Sequence, residues 1–308
     1  PPAPPFVVTS TAASPDHSPG DGVCEATPGA GDCTLPAAVT EANAVPRAVI
    51  TVPAGTYTGI DVVLEGTIEV NGAGATATLL ADASLTVAAG ANVGVSDVGS
   101  APAVEGSDDL DVSIVVDGVL RIGRSQITQV RASDLDGIAL DVGPDGGVVV
   151  TDSTLLGGTY AVRNAGSVVL QGSTVLDLFG GRIHTLPGGE SHFRATLVSR
   201  AVNTSLPTSS CTGEAATSHG HSYYAPFAWG CDTADTDLTG VPLPSVTLPG
   251  PDGSTYALTA TPGVVDAIPL GESGCRSGTF DVLGQPRGVD GNGDGIPGCD
   301  IGALEAQP

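Results

Sequence analysis

The loop best suited to chemistry lies near the end of the chain and consists of Asp290-Gly291-Asn292-Gly293-Asp294-Gly295. Its oxygen-bearing side chains occupy positions 1, 3 and 5, with Gly at position 6, a spacing typical of loops that bind hard cations such as Ca²⁺. Ile296 would add a backbone carbonyl, and Asp300 a carboxylate. The helix-flanked calcium loop requires an acid at position 12, which here is Ile301. We therefore expect either a structural Ca²⁺ loop of another geometry or an array of Asx turns without an ion.

A second group of candidates combines carboxylates with arginines. Two carboxylates at a set separation can act as general acid and base in glycoside hydrolysis, and clustered acids can bind Ca²⁺ against an acidic polysaccharide. The plainer alternative is a loop of solvated acids. The candidates are Asp108, Asp109, Asp111, Arg121, Arg124 and Arg131.

A third group surrounds the sequence His219-Gly220-His221. On a strand, alternate side chains share one face, so the two imidazoles would form a pair of transition-metal ligands. The nearby aromatics Tyr223, Tyr224 and Trp229 would either stack on sugar rings or form a small core within a disulfide-closed loop. His184 and His192 are interpreted as isolated surface residues.

The charge of the chain excludes several classes of partner. There are 34 acidic residues against 10 basic ones, all of which are Arg, and the net charge is -24. Nucleic-acid binding requires a basic surface, and anionic lipids also attract basic segments, so both partners are excluded. Uncharged glycans, cations and basic proteins remain. Acidity also keeps a β-rich surface soluble without any binding role.

The cysteines indicate an oxidising compartment. All six fall in local pairs, Cys24 with Cys33, Cys211 with Cys231 and Cys275 with Cys299, and disulfides within these pairs are the simplest expectation. The absence of a C-x-x-C spacing argues against zinc. No stretch approaches the roughly 18 apolar residues that span a bilayer. Because the chain contains no Met, we interpret it as a mature form or one lacking its signal peptide, with a secreted or cell-surface location.

The elements that would position these candidates form a coiled repeat. Short Val, Ile and Leu alternations separated by Gly, Asp, Asn or Ser recur across residues 48–202. Aligned positions Ser125, Ser153, Ser173 and Ala195 give a drifting period in the twenties, which is typical of a β-solenoid. Leucine-rich repeats need a Leu/Asn ladder that is absent, and a β-sandwich needs hairpins and more aromatics. The sequence therefore predicts an all-β, right-handed parallel β-helix.

One helix is predicted before the repeat, over residues 34–44. Leu35, Ala38, Val39 and Ala42 form one apolar face, and Thr34 is a suitable N-cap. We expect this helix to cover the end of the stack. The chain then divides into an extended lead-in or linker (1–22), the disulfide loop and capping helix (23–47), the coils (48–202), and the last coils with a loop-rich, disulfide-stapled C-terminal cap (203–308).

Both ends of the chain carry motifs known from bacterial proteins. The N-terminal motifs lie at residues 21–24, 31–35, 38–44, 52–57 and 71–76, and the C-terminal motifs at residues 261–267, 284–288, 290–295 and 299–305. The first set resembles CSLREA-domain proteins, and the second set resembles the choice-of-anchor Q domain. The resemblance implies export and a β-helix but no established reaction, and the Arg-Glu pair of the first family is Pro36-Ala37 here.

These observations favour a non-catalytic protein that acts in adhesion, glycan contact or envelope structure. The alternative is a polysaccharide lyase or glycoside hydrolase that uses the lateral groove of the β-helix, by analogy of fold with pectate lyases and polygalacturonases. The expected partners are a polysaccharide or a cell-surface protein, and the expected cofactor is structural Ca²⁺.

Overall fold

The chain forms a right-handed parallel β-helix with one short helix. The computed structural model describes residues 5–100, 113–129, 137–157, 160–177, 183–200, 209–214, 216–224, 228, 230–239 and 263–308. Within them, three parallel sheets contain ten, nine and seven strands. The predicted fold class is therefore confirmed.

The strands of each sheet come from successive coils. Sheet A contains Pro5–Val7, Ala48–Thr51, Thr67–Asn71, Asn92–Ser96, Val119–Gly123, Gly147–Thr151, Ser167–Gln171, Glu190–Arg194, Ala216–Ser218 and Cys231–Asp232. Sheet B contains Gly55–Thr58, Thr78–Ala81, Gly99–Ser100, Gln126–Gln129, Thr154–Gly157, Thr174–Asp177, Leu197–Arg200, Tyr223–Tyr224 and Leu238–Thr239. Sheet C contains Asp61–Leu64, Ser84–Val87, Ser113–Val116, Ile138–Val142, Tyr160–Asn164, Ile183–Thr185 and Cys211–Gly213.

The core is a set of aliphatic columns inside the coils. Successive side chains of a strand point to opposite faces, so each five-residue strand of sheet A sends its second and fourth residues inward. Equivalent residues stack because neighbouring coils pair in register. One column consists of Ile68, Val93, Leu120, Val148 and Val168, all with 2% exposure or less. This stacking explains how a chain with 4% aromatic residues fills its interior.

At the corner between sheets A and B, successive coils have a residue with left-handed backbone conformation, followed by a residue with a buried hydroxyl group. Asp152 has a φ of 47° and Ala195 a φ of 54°. The register of sheet A makes Ala195 equivalent to Gly172, so the residue that stacks on Ser173 is Thr196. The sequence alignment of Ala195 with Ser173 was therefore wrong by one residue, because the left-handed corner precedes the hydroxyl.

These hydroxyls satisfy the buried backbone of the corner. Ser153 Oγ donates to Thr151 O at 2.7 Å and accepts from Ser125 N in the adjoining coil at 3.1 Å. Ser173 and Thr196 donate to the carbonyl two residues earlier in the same way. Since unpaired buried polar groups cost free energy, the hydroxyl column lets the chain turn inside the core.

The N-terminal end is covered as the sequence predicts. Helix α1 spans Leu35–Asn43, and Thr34 Oγ1 accepts from Ala37 N at 3.1 Å as its N-cap. The four apolar residues of the predicted face are buried. Glu41, also buried, accepts the N–H groups of Gly20 and Gly22, which holds the lead-in loop on the helix.

The C-terminal segment, defined as residues 263–308, packs against the outer side of sheet B. Gly302 N donates to Ala195 O at 3.0 Å, and Ala303 N donates to Thr174 Oγ1 at 2.9 Å. An apolar cluster joins the two parts, with Leu197 and Tyr223 from the coils and Val264, Ile268 and Ile301 from the segment. Ile268–Pro269 and Gly298–Cys299 form a small antiparallel sheet. The boundaries that we drew at residues 22, 47 and 202 stay a prediction.

The three expected disulfides are all present, joining Cys24 to Cys33, Cys211 to Cys231 and Cys275 to Cys299. The first closes the loop that directly precedes helix α1, and the third lies in the C-terminal segment. In the described part of the chain, no helix is long and apolar enough to cross a bilayer.

Ser153→Ala tests the hydroxyl column. The substitution leaves Ser125 N–H buried without its acceptor, so we expect the free energy of unfolding to fall by about 1–3 kcal/mol in urea denaturation. Ser167→Ala, at an exposed position of sheet A, should change it by less than about 0.5 kcal/mol. Equal effects of the two substitutions would contradict a structural role for the column.

Candidate functional site

The two described arginines of the acid–arginine group are engaged in ion pairs on the outside of the coils. Arg121 Nη2 lies 3.2 Å from Glu69 Oε1, and Arg121 Nη1 donates to Asn92 Oδ1 at 2.7 Å. Arg124 binds both carboxylate oxygens of Asp97, at 2.9 and 2.5 Å. These contacts join different coils. Asp108, Asp109, Asp111 and Arg131 lie outside the described residues.

The Glu69–Arg121 pair borders an open depression on the outer face of sheet A. Gly94 lies between the two partners, and a Cβ added there would approach Glu69 Oε2 to 1.8 Å. Glycine at this position therefore lets the ion pair span an intervening coil. The depression has a volume of about 210 Å³ and is also lined by Gly123, Val149 and Thr151.

The predicted pair His219 and His221 is not formed. His221 has a left-handed φ of 54°, and Gly220 before it also has a positive φ, so the strand alternation breaks. His221 Nδ1 lies 2.9 Å from Ser273 Oγ in the C-terminal segment. His219 instead approaches His192 on sheet A, with which it shares a hydrogen bond. The expectation that His184 and His192 are isolated was therefore wrong. Sheet pairing brings His192 next to a residue 27 positions away in the chain, and it stacks His184 on Tyr160 with ring centroids 4.8 Å apart.

The described aromatics of this region are interior residues. Tyr223 and Tyr224 are 1% and 0% exposed. Tyr224 packs edge to face on Phe193 with ring centroids 5.9 Å apart, and burial raises its pKa. Tyr223 lies beneath the C-terminal segment. Their positions support a small aromatic core and not stacking on sugars, while Trp229 lies outside the described residues.

The acidic loop folds as an Asx-turn array. Asp290 Oδ1 accepts from the N–H groups of Gly293 and Asp294, and its Oδ2 accepts from Gly295. Asn292 accepts from Asp294 N and Asp294 from Ile296 N. Each carboxylate oxygen offers two lone pairs, so these groups retain acceptor capacity for a cation. Among the described residues, no group of three His, Cys, Asp or Glu side chains is arranged to hold a metal ion.

Asp300, which is predicted as a further ligand of this loop, is hydrogen-bonded to backbone N–H groups of the C-terminal segment outside the loop. It is 0% exposed, and its two oxygens accept from Asp266 N at 2.8 Å and Ala306 N at 2.7 Å. Asp266 in turn accepts from Gly291 N and Asn292 N, which fixes the start of the loop. Sequence reasoning missed Asp266, because no local pattern connects it to a loop more than twenty residues away.

Arg287 is the centre of a buried polar cluster that attaches the segment to the coils. Its side chain, 5% exposed, donates to the carbonyls of Gly302 and Asp300 at 2.8 Å each. It also lies 3.4 Å from Asp152 Oδ1 on the coils and 3.7 Å from Glu305 Oε2. Burial raises the pKa of Asp152 and of Glu305, and nearby Arg287 opposes both shifts.

A comparison of the chain with protein-family models finds no match. Searches of curated proteins and of solved structures also find none. The β-helix that the CSLREA and choice-of-anchor Q resemblance implies is present, while the family names themselves stay a prediction.

The calcium expectation also stays a prediction, and a chelator tests it. EDTA should lower the thermal midpoint, since an ion that binds only the folded state stabilises it. Asp294→Asn removes one charge but leaves an oxygen acceptor for Ile296 N–H, so it should reduce the response to Ca²⁺. Asp235→Asn, at an exposed position outside the loop, is the control. An unchanged midpoint in EDTA would contradict the prediction.

Stability should depend on pH through the segment's buried acids. Burial raises the pKa of Asp300 to about 7, against the opposing hydrogen bonds of Ala306 and Asp266, and burial also raises the pKa of Asp281. The folded state therefore holds more protons than the unfolded chain between about pH 4 and pH 7. The contribution of Asp300 to stability should be complete below this range and lost as pH rises through about 7.

Thermal melts at pH 5 and pH 8 in EDTA would measure this dependence. Asp300→Asn keeps one acceptor but cannot ionise, so its midpoint should fall less than the wild-type midpoint between the two pH values. Equal slopes for the two proteins would show that Asp300 is not the group responsible.

Proposed function

We propose that this chain is an exported, non-catalytic β-helix that contacts a neutral polysaccharide along the outer face of sheet A. The observation that carries the proposal is the open depression beside the Glu69–Arg121 pair. The C-terminal segment covers part of sheet B, whereas this depression is open to solvent.

Export is supported by the cysteine chemistry. All six cysteines are paired in disulfides, and such bonds persist in oxidising compartments. Each disulfide stabilises the folded state because it limits the conformations that the unfolded chain can adopt. An extracellular protein with few aromatic residues in its core gains stability in this way.

A binding role fits the described charges better than catalysis. Arg121 and Arg124, which a lyase would use to bind substrate carboxylates, are held by Glu69 and Asp97. Recruiting either arginine would require breaking its existing contacts. A lyase or hydrolase remains the alternative outcome of the experiment below.

The charge and size of the depression favour a neutral polymer. A net charge of -24 repels anionic chains, whereas the local ion pair offers hydrogen-bond donors and acceptors with little net charge. The depression has a volume of about 210 Å³, whereas pockets that enclose a small molecule start at roughly 300 Å³. The depression therefore suits contact with part of a long polymer better than it suits burial of a free small molecule. Thr151 adds a hydroxyl at the edge, and Val149, 39% exposed, adds an apolar patch for a sugar ring.

Gly123→Tyr is the sharpest test of this surface. A Cβ at Gly123 meets only Thr151 Oγ1, at 3.6 Å, and the glycine does not have a positive φ, so the ring should fill the depression without backbone strain. Ser167→Tyr places the same ring at an exposed position of sheet A outside the depression.

Each protein would be incubated with a panel of neutral and acidic polysaccharides and analysed by size-exclusion chromatography and calorimetry. We expect co-elution of the wild type with a neutral polymer, roughly tenfold or weaker binding by Gly123→Tyr, and unchanged binding by Ser167→Tyr. Shortening of a polymer would replace the proposal with the enzyme alternative. The proposal would be overturned if the wild type bound no polymer in the panel. It would also be overturned if Gly123→Tyr bound as tightly as Ser167→Tyr.

A further inference from the structure

His192 and His219 direct two ring nitrogens at each other on the outer face of sheet A. His192 Nδ1 and His219 Nε2 are 3.2 Å apart. The ring centroids are 5.2 Å apart, with the ring planes inclined by 37°. His219 is exposed and His192 is partly exposed, so solvent can reach the space beside the two nitrogens.

The backbone holds both residues in place. His192 lies in the strand Glu190–Arg194. Its neighbours Ser191 and Phe193 are buried, so the alternation of the strand places the His192 side chain on the outer face. His219 directly follows the neighbouring strand Ala216–Ser218, and its N–H donates to Phe193 O at 2.7 Å. The backbone therefore holds the two imidazoles close together before any ion binds. Such a preorganised pair loses less conformational entropy on binding than two free side chains would.

The separation of the nitrogens matches that of two ligands of one metal ion. With metal–nitrogen distances of about 2.0–2.1 Å, two nitrogens on a tetrahedral ion are about 3.3 Å apart. The same distance suits an N–H···N hydrogen bond between neutral rings. A metal ion would take the place of the shared proton, which moves to the outer nitrogen of the ring that carried it.

Glu190 favours the tautomer of His192 that metal binding requires. Glu190 Oε2 lies 3.8 Å from His192 Nε2, the nitrogen that faces away from His219. A carboxylate on that side attracts an Nε2–H and leaves Nδ1 free to donate its lone pair, as carboxylates behind metal-bound histidines do. Arg194 lies two residues after His192 on the outward face of the same strand, and its positive charge opposes the binding of a cation. Solvent would supply the remaining ligands, since the described residues contain no cluster of three metal-binding side chains here.

We infer that His192 and His219 form a two-histidine binding site for a divalent transition-metal ion of the Ni²⁺, Cu²⁺ and Zn²⁺ class. Imidazole nitrogens prefer these ions to Ca²⁺ and Mg²⁺, which select oxygen. The site is separate from the acidic loop and independent of the proposed polysaccharide contact. Two protein ligands and a nearby arginine predict weaker binding than that of four-ligand structural zinc sites.

Calorimetric titration of the full chain with Zn²⁺ and with Ni²⁺, in a buffer that contains excess Ca²⁺, tests the inference. The Ca²⁺ occupies the many surface carboxylates of this acidic chain, so the remaining signal reports nitrogen ligands. His192→Gln and His219→Gln should each weaken binding roughly tenfold or more, and Glu190→Gln should weaken it by about tenfold. His184→Gln is the matched control, because His184 lies on sheet C against Tyr160 and Thr212.

Ring-proton NMR with substoichiometric Ni²⁺ identifies the ligands directly. We expect the signals of His192 and His219 to broaden first, while those of His17, His184 and His221 stay sharp. The inference is overturned if His192→Gln and His219→Gln bind Zn²⁺ as tightly as wild type does. It is also overturned if broadening begins at His221, whose Nε2 lies 3.5 Å from Glu272. Melting curves that match wild type confirm that the variants are folded.

Discussion

Parallel backbone hydrogen bonding between successive coils is the interaction on which the whole molecule depends. Strands about 4.8 Å apart place equivalent residues directly above one another, so one inward aliphatic position becomes a continuous column. A slip of one residue would turn Val148 or Val168 toward solvent and bring outward residues into the core. The left-handed corners and the buried hydroxyls of Ser153 and Thr196 are needed because the chain must turn inside this stack without losing its hydrogen bonds.

The same stacking gives each outer face its own chemistry. Residues far apart in sequence meet at intervals of one coil, as do Asp141 with Arg163 and His192 with His219, or at two coils where Gly94 leaves space between Glu69 and Arg121. The outer side of sheet B carries apolar residues and receives the C-terminal segment, which the buried Arg287 cluster attaches to the coils. The open part of sheet A is the surface on which we place polymer contact and metal binding.

The sequence predicted those features that local patterns encode. The helix over residues 34–44, the three disulfides and the inward aliphatic alternation depend on neighbours along the chain, and all three are confirmed. The strand register and the pairs on the outer face depend on the length of each coil, which varies along the chain. The sequence alignment therefore placed Ala195 where Thr196 stacks on Ser173, and it did not bring His192 and His219 together. Asp300 was assigned to the acidic loop by spacing alone, whereas its position is set by Asp266 and Ala306.

Native-state hydrogen exchange tests the central claim that the coil stack and the docked C-terminal segment form one cooperative structure. Amides in Gly147–Thr151 and Ser167–Gln171 are bonded on both sides and should exchange slowest. The amides of Gly302 and Ala303, which bond to Ala195 and Thr174 on the coils, should show comparable protection. Exchange of Gly302 and Ala303 at unprotected rates, while the strands stay protected, would contradict this account.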